Sequence, residues 1–165
     1  MISSSVKFLL NDKLIVIKNP DPNQTLLNYI RTELKKTGTK EGCSEGGCGA
    51  CTIVLGELVN NKIEYKAINS CISFVPTLNG KQLIIVEDLV SKNGQLHPVQ
   101  DAMVKFHGSQ CGFCTPGFLV VISALLSENQ SPTDEEIKSA IEGNLCRCTG
   151  FQQIVDSVRE ASEIL

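Results

Sequence analysis

The sequence predicts an α+β chain in two parts: a β-rich first half with one helix laid across a mixed sheet, and a second half of four short helices. Three observations carry that expectation. Short apolar runs broken by turn residues fill the chain up to about residue 86, and apolar residues at helical spacing fill it from Pro98 onward. Between them, residues 87–96 lose periodicity and carry Ser91, Asn93 and Gly94. The boundary is therefore set there, giving units of 1–88 and 89–165.

Residues 6–10 and 14–17 are apolar runs around Asn11, Asp12 and Lys13, a hairpin signal. A helix follows, with Asn23 and Thr25 as candidate caps, Leu26, Leu27, Ile30 and Leu34 at helical spacing, and Gly38 placed as its stop. Lys35, Lys36 and Lys40 read as its solvated end. Residues 52–55, 63–70 and 82–86 are strand candidates, with turns at Asn60-Asn61 and Asn79-Gly80. One helix packed across a mixed sheet is the simplest assembly of these pieces, and it resembles a β-grasp. Beyond the boundary, Pro98 suits the first turn of a helix over 99–106, and Pro116 introduces another over 118–126. Thr133-Asp-Glu-Glu136 matches a capping box opening residues 137–141, and residues 154–165 make a fourth helix. Together they predict a small four-helix bundle.

Composition excludes several classes of protein. At 165 residues with 42% hydrophobic content, the chain can bury roughly two-thirds of its unfolded surface and fold without disulfide staples. A net charge of −3 without blocks of like charge gives no reason to expect nucleic acid or an anionic membrane as partner. Residues 1–10 have no basic leader and too short an apolar run for a signal peptide. No stretch approaches the roughly 18 apolar residues of a membrane span. The expected compartment is cytoplasmic.

Eight cysteines make up about 5% of the chain, below the roughly 8–10% that marks a disulfide scaffold. Clustered cysteines in reducing surroundings point to metal binding or redox work. They fall into two sets of four. Cys43, Cys48 and Cys51, in Glu41-Gly-Cys-Ser-Glu-Gly-Gly-Cys-Gly-Ala-Cys51, follow the Cys-x4-Cys-x2-Cys spacing of plant-type two-iron two-sulfur (2Fe-2S) ferredoxins, with Cys71 as the distant fourth thiolate. The interleaved glycines let a loop curl around a cluster and aim its amides at sulfur. A phosphate-binding loop is disfavoured, because no Gly-x-Gly-x-x-Gly or Walker pattern is present and a strand-like run, not a helix, follows. Zinc stays open as the competing metal, although its ligands usually come as separated Cys-x2-Cys pairs.

Cys111, Cys114, Cys146 and Cys148 form the second set, in Gln110-Cys-Gly-Phe-Cys-Thr-Pro-Gly117 and Gly143-Asn-Leu-Cys-Arg-Cys-Thr-Gly150. A thioredoxin-like pair would close a strand and open a helix in a βαβ unit, whereas helical pattern lies on both sides here. A cluster, a disulfide pair and zinc all remain in play, the spacing favouring the cluster. His97 and His107 read as capping or surface residues, since four thiolates already complete a site.

These cysteine motifs, with Leu96-His-Pro-Val-Gln100 and His107-Gly-Ser before Gln110, resemble the molybdenum hydroxylase family over nearly the whole chain. Within it the likeness is to the iron-sulfur module of the xanthine dehydrogenase branch, on the long hairpin over 55–68 and on His-Gly-Ser before Gln110. Small subunits of the aldehyde oxidoreductase or carbon monoxide dehydrogenase type, and a free soluble ferredoxin, are the alternatives. The resemblance implies a plant-type ferredoxin-like domain followed by the family's helical 2Fe-2S domain. It also implies a molybdopterin-binding large subunit and an FAD-binding domain or subunit as partners. Electrons would run from molybdopterin to the Cys111/Cys114/Cys146/Cys148 cluster, then to the Cys43/Cys48/Cys51/Cys71 cluster, then to FAD. Matching positions imply that Gln110 contacts the pterin and that Cys148 lies between cluster and pterin. The chain itself would carry electron transfer and no substrate chemistry. It departs from the family at Ser44, where Gly or Asn is usual and the change is expected to be harmless, and at Phe151, where Tyr is usual and a hydroxyl is lost.

Overall fold

A computed structural model of the chain describes residues 5–165; residues 1–4, part of the stretch read for a leader, lie outside the described residues. β1 (Ser5–Leu10) and β2 (Lys13–Lys18) form the expected hairpin, with Asn11 taking the left-handed turn at φ 53°. Val6 and Phe8 point inward because alternate strand residues share a face. α1 (Leu26–Thr32) is capped by Thr25, whose hydroxyl accepts the Asn28 amide at 3.2 Å, and it buries Leu26, Leu27, Tyr29 and Ile30. Asn23 is not the cap; its amide is taken by Asp21 at 2.8 Å.

The helix stops at Thr32, short of Gly38. The Tyr29 carbonyl accepts both the Glu33 and Leu34 amides, at 2.9 and 3.1 Å, and Lys35 turns left-handed at φ 57°. Gly38 serves a different contact: its amide donates to Glu87 Oε1 at 2.8 Å, and a β-carbon there would lie 2.6 Å from the Val86 side chain. The space needed by that crossing, not helix termination, calls for glycine.

β3 (Thr52–Val59), β4 (Lys62–Asn69) and β5 (Gln82–Ile84) complete a five-stranded sheet in the order β2-β1-β5-β3-β4. β1 and β5 run parallel; the other neighbours are antiparallel. β3 and β4 extend beyond their apolar runs as a ribbon turning at Asn60 and Asn61, both left-handed (φ 50° and 61°), as a tight hairpin requires. β5 is shorter than its apolar run, because residues 86–88 wind into a single 3-10 turn in which the Asp88 carboxylate accepts the Ile85 amide at 3.1 Å. A second 3-10 turn, Val75–Leu78, sets Val75 and Leu78 against the sheet. Four residues are too few to show a period in the sequence.

The second half holds α2 (Pro98–Lys105), α3 (Thr115–Glu128), α4 (Asp134–Ile141) and α5 (Gln152–Ile164), each close to its expected place. Thr133 and Glu136 form the expected capping box: the Thr133 amide donates to Glu136 Oε2 at 2.7 Å, and the Glu136 amide to Thr133 Oγ1 at 3.3 Å. α3 is buried continuously over 117–122, as an all-round apolar helix must be. It joins Val99, Met103, Ile137, Ile154 and Val158 on one side and packs against β3 on the other. That double cover explains why β3 is buried without alternation over 52–56. Each fully buried aliphatic or Phe side chain contributes roughly 1.5–3 kcal/mol, so the two cores hold the loops between these elements firmly. Among the described residues, no helix is long and apolar enough to cross a membrane.

Candidate metal centres

The first cysteine set is assembled by a loop and a hairpin. β3 begins just after Cys51 and β4 ends just before Cys71, and the register pairs Thr52 with Asn69, so the two cysteines come side by side at the hairpin base. Ser70 fastens them, its amide and hydroxyl both donating to the Cys51 carbonyl at 3.3 and 2.7 Å. Asn69 Nδ2 donates to the Gly46 carbonyl at 2.7 Å and so ties the loop to the hairpin. In the loop, Gly46 and Gly49 are left-handed, at φ 81° and 71°. Ser44 is left-handed too, at φ 58°, with its hydroxyl donating to Glu41 Oε1 at 2.7 Å. A Gly or Asn adopts that conformation readily, so Ser44 is not the neutral change that was expected; the left-handed region costs an L residue roughly 1–2 kcal/mol.

The amides of this loop face sulfur. Gly47 N–H donates to Cys43 Sγ at 3.3 Å. The Glu45 amide, then the Cys48 thiol, with the Cys48 and Gly47 amides, bring the Cys43 thiol down to about 7. Burial, then the neighbouring Cys51 thiol, pushes Cys71 up to about 11 against the pull of the Gly46 amide. Cys51 and Cys71 are 2% and 8% exposed.

Helix ends build the second set. Cys111 and Cys114 lie in the turn entering α3, with Cys114 at its N-cap, and Cys146 and Cys148 lie between α4 and α5. Burial, then contact with Cys146, pushes Cys114 up to about 12. Burial also raises Cys146, but the Thr149 hydroxyl at 3.1 Å, the Thr149 and Cys148 amides and the Cys114 thiol together bring it below the ordinary value. The Cys111 thiol raises Cys148. Cys111, Cys148 and Gln110 are exposed at this rim.

The thiols thus meet in pairs: Cys43 with Cys48, Cys51 with Cys71, Cys111 with Cys148, and Cys114 with Cys146. All eight are free, without disulfides. Among the described residues, no three His, Cys, Asp or Glu side chains are set to hold a single metal ion. Two pairs per set suit a group with two metal atoms better than one tetrahedral zinc, on which four thiolates converge. His97 caps α2, its Nδ1 accepting the Val99 amide at 3.3 Å, and His107 is exposed, so neither joins a thiol set.

Sequence reasoning missed how closely the sets face each other. A cavity of about 420 Å³ is bordered by Cys43 and Cys48 of the first set and by all four thiols of the second. Asn144, 3% exposed, lies between the two loops, and the Leu145 amide donates to the Cys48 carbonyl at 3.0 Å. Asn144 stands inside a motif read only for its cysteines, and no spacing rule marks it.

Two family models match along the chain. Residues 8–76 match the 2Fe-2S iron-sulfur cluster binding domain and residues 85–159 the [2Fe-2S] binding domain, so each thiol set falls within one match. Quinoline 2-oxidoreductase from Pseudomonas putida 86 superposes with a TM-score of 0.82 at 32% identity, covering 96% of this chain and 93% of that one. The chain belongs to the molybdenum hydroxylase family, as its iron-sulfur region. Aldehyde oxidoreductase from Desulfovibrio desulfuricans ATCC 27774 superposes with a TM-score of 0.84 at 33% identity, over 98% of this chain and 17% of that one. Xanthine dehydrogenase/oxidase of Felis catus is 45% identical over 96% of this chain, and aldehyde oxidase 4 of Cavia porcellus 43% over 94%. The chain spans about 12% of the length of such curated relatives.

The molybdenum hydroxylase loops present here fit 2Fe-2S clusters. Amides already point at the sulfurs of Cys43, Cys71 and Cys146. A β-carbon on Gly42 would come 2.7 Å from Cys48 Sγ, so the glycine leaves that thiol room in its present position beside the cavity.

Proposed function

We propose that this chain is the electron-transfer module of a xanthine dehydrogenase-like molybdenum hydroxylase, relaying electrons from molybdopterin through two 2Fe-2S clusters to FAD. When bound, each cluster supplies a one-electron couple whose potential depends on charge, hydrogen bonds to sulfur and exposure. The chain's own residues hold and insulate. Cys43, Cys48, Cys51 and Cys71 hold the flavin-side cluster; Cys111, Cys114, Cys146 and Cys148 hold the pterin-side one. The observation that carries this reading is the shared cavity, which both thiol sets border.

Direction is supported by exposure. Cys148 and Gln110 stand at an open rim, where a pterin on a molybdopterin-binding large subunit could reach them, while Cys51 and Cys71 are enclosed. The finer architecture belongs to the same proposal: a β-grasp ferredoxin-like domain over 1–88 and a four-helix-bundle iron-sulfur domain over 89–165, acting in the cytoplasm beside an FAD-binding domain or subunit.

Iron analysis with electron paramagnetic resonance tests it. About four irons per chain and two distinguishable reduced signals are expected for two 2Fe-2S clusters. One signal, or zinc in place of iron, overturns it. Copurification of the native complex, with its cofactors identified, tests the partners.

A further inference from the structure

We propose that Asn144 is a positioning residue for electron passage between the two thiol sets: its buried amide locks the loop carrying Cys146 onto the loop carrying Cys48 and so fixes how strongly the two clusters couple. The inference rests on the two-cluster reading above.

Asn144 follows α4 and precedes Cys146 by two positions. Its Nδ2 donates to the Gly49 carbonyl at 2.8 Å and to Thr52 Oγ1 at 3.3 Å, while the Thr52 hydroxyl donates to the same carbonyl at 2.7 Å. The three groups close a buried ring between the halves of the molecule. Two glycines make room for it. A β-carbon on Gly49 would come 2.3 Å from the Gly143 carbonyl, and one on Gly117 would come 2.6 Å from Asn144 Nδ2.

The neighbouring residue shows what the ring holds in place. Leu145 N–H donates to the Cys48 carbonyl at 3.0 Å, yet the residue is 60% exposed, so its side chain anchors nothing firmly. Through that one hydrogen bond, the backbone of Cys48 reaches the residue joined to Cys146. A route from one thiol set to the other therefore crosses covalent bonds and a single hydrogen bond, with no open gap. Asn144 fixes the register of that bond from the interior side. An ordinary satisfied core asparagine would stabilise the fold without affecting communication between the sets, and the test separates these two roles.

In the reduced, iron-loaded full chain, two neighbouring paramagnetic clusters split each other's resonance signals. Asn144→Ala is expected to keep the iron content and both signals of the wild type while the mutual splitting shrinks. Thr52→Val removes, at nearly constant volume, the hydroxyl that accepts from Asn144 and donates to the Gly49 carbonyl. The Asn144 bond to that carbonyl stays, so this variant is expected to shrink the splitting less. Wild-type splitting in an Asn144→Ala protein with both signals overturns the proposal. Should Asn144→Ala lose iron, Thr52→Val decides: reduced splitting supports the positioning role and unchanged splitting overturns it. A wild-type protein with a single signal instead defeats the two-cluster reading itself, an outcome distinct from both.

Discussion

Cys43, Cys48, Cys51 and Cys71 sit in a loop and at a hairpin base with two of them enclosed, whereas Cys111, Cys114, Cys146 and Cys148 sit at helix ends with two of them exposed. The first loop turns four amides, those of Glu45, Gly46, Gly47 and Cys48, toward sulfur, and it encloses two of its thiols. The second set also receives backbone amides, those of Cys111, Cys114, Cys148 and Thr149, and adds the Thr149 hydroxyl, but it leaves Cys111 and Cys148 exposed. Both sites are tuned by fixed backbone dipoles; they differ in that the first encloses two of its thiols and the second is open to a partner. The contrast suits two carriers with separate potentials and separate neighbours.

The largest effect is expected where the two regions touch. Gly49→Ala puts a β-carbon against the Gly143 backbone at φ 71°, a clash that neither half can relieve by rotating a side chain. A loss of more than about 3 kcal/mol is expected, together with iron from both sets. Gly47→Ala, in the same loop but with open space around its β-carbon, should stay within about 0.5 kcal/mol. Urea unfolding with iron analysis compares them, and equal costs would show that the loops are not interlocked.

Exposure gives the next test. Under a chelator, the signal from the second set is expected to fade first, because Cys111 and Cys148 are exposed while Cys51 and Cys71 are buried. Resonance spectra recorded over time check the order. Simultaneous loss would erase the contrast between an insulated site and an open one.

The first set was the more legible in sequence, since its ligand spacing is crowded into one loop and its left-handed glycines carry the geometry. The helices were legible because Thr25, Pro98, Pro116 and the Thr133–Glu136 box mark their starts with local chemistry. Gly38 misled for a physical reason: glycine there leaves room for Val86 and Glu87, a contact between residues far apart in the chain. Asn144 and the facing of the two sets were invisible on the same ground. Their partners lie more than 90 positions away, and only the packing of α3 on β3 brings them together.

Helix caps allow a smaller comparison between the halves. Thr25→Ala and Thr133→Ala each remove a hydroxyl that accepts an amide, at 3.2 and 3.3 Å, and each is expected to cost about 1 kcal/mol in urea unfolding. Thr25 caps α1, whose Leu27 packs beside Cys51 and Cys71, so its loss should also broaden the first signal. Thr133 is exposed and stands at the opposite end of α4 from Cys146, so stability should fall with both signals intact.

The smallest effect is a pH dependence confined to the second half. Burial holds His97 below its ordinary value of 6.5, and its Nδ1 accepts the Val99 amide at 3.3 Å to open α2. Since the folded state resists protonation, the histidine's contribution is complete above pH 6.5 and is lost as pH falls from there through its lower folded value. Protonation also removes the acceptor that caps the helix. His97→Asn keeps a capping acceptor without a titrating group, so its stability should lack this decline. Asp88 near the same pocket, raised by burial, is common to both proteins, so the difference between them isolates the histidine. Urea unfolding from pH 7.5 to 5 measures that difference; parallel curves would mean that α2 opens without depending on His97, and the helical half would then owe its rigidity to apolar packing alone.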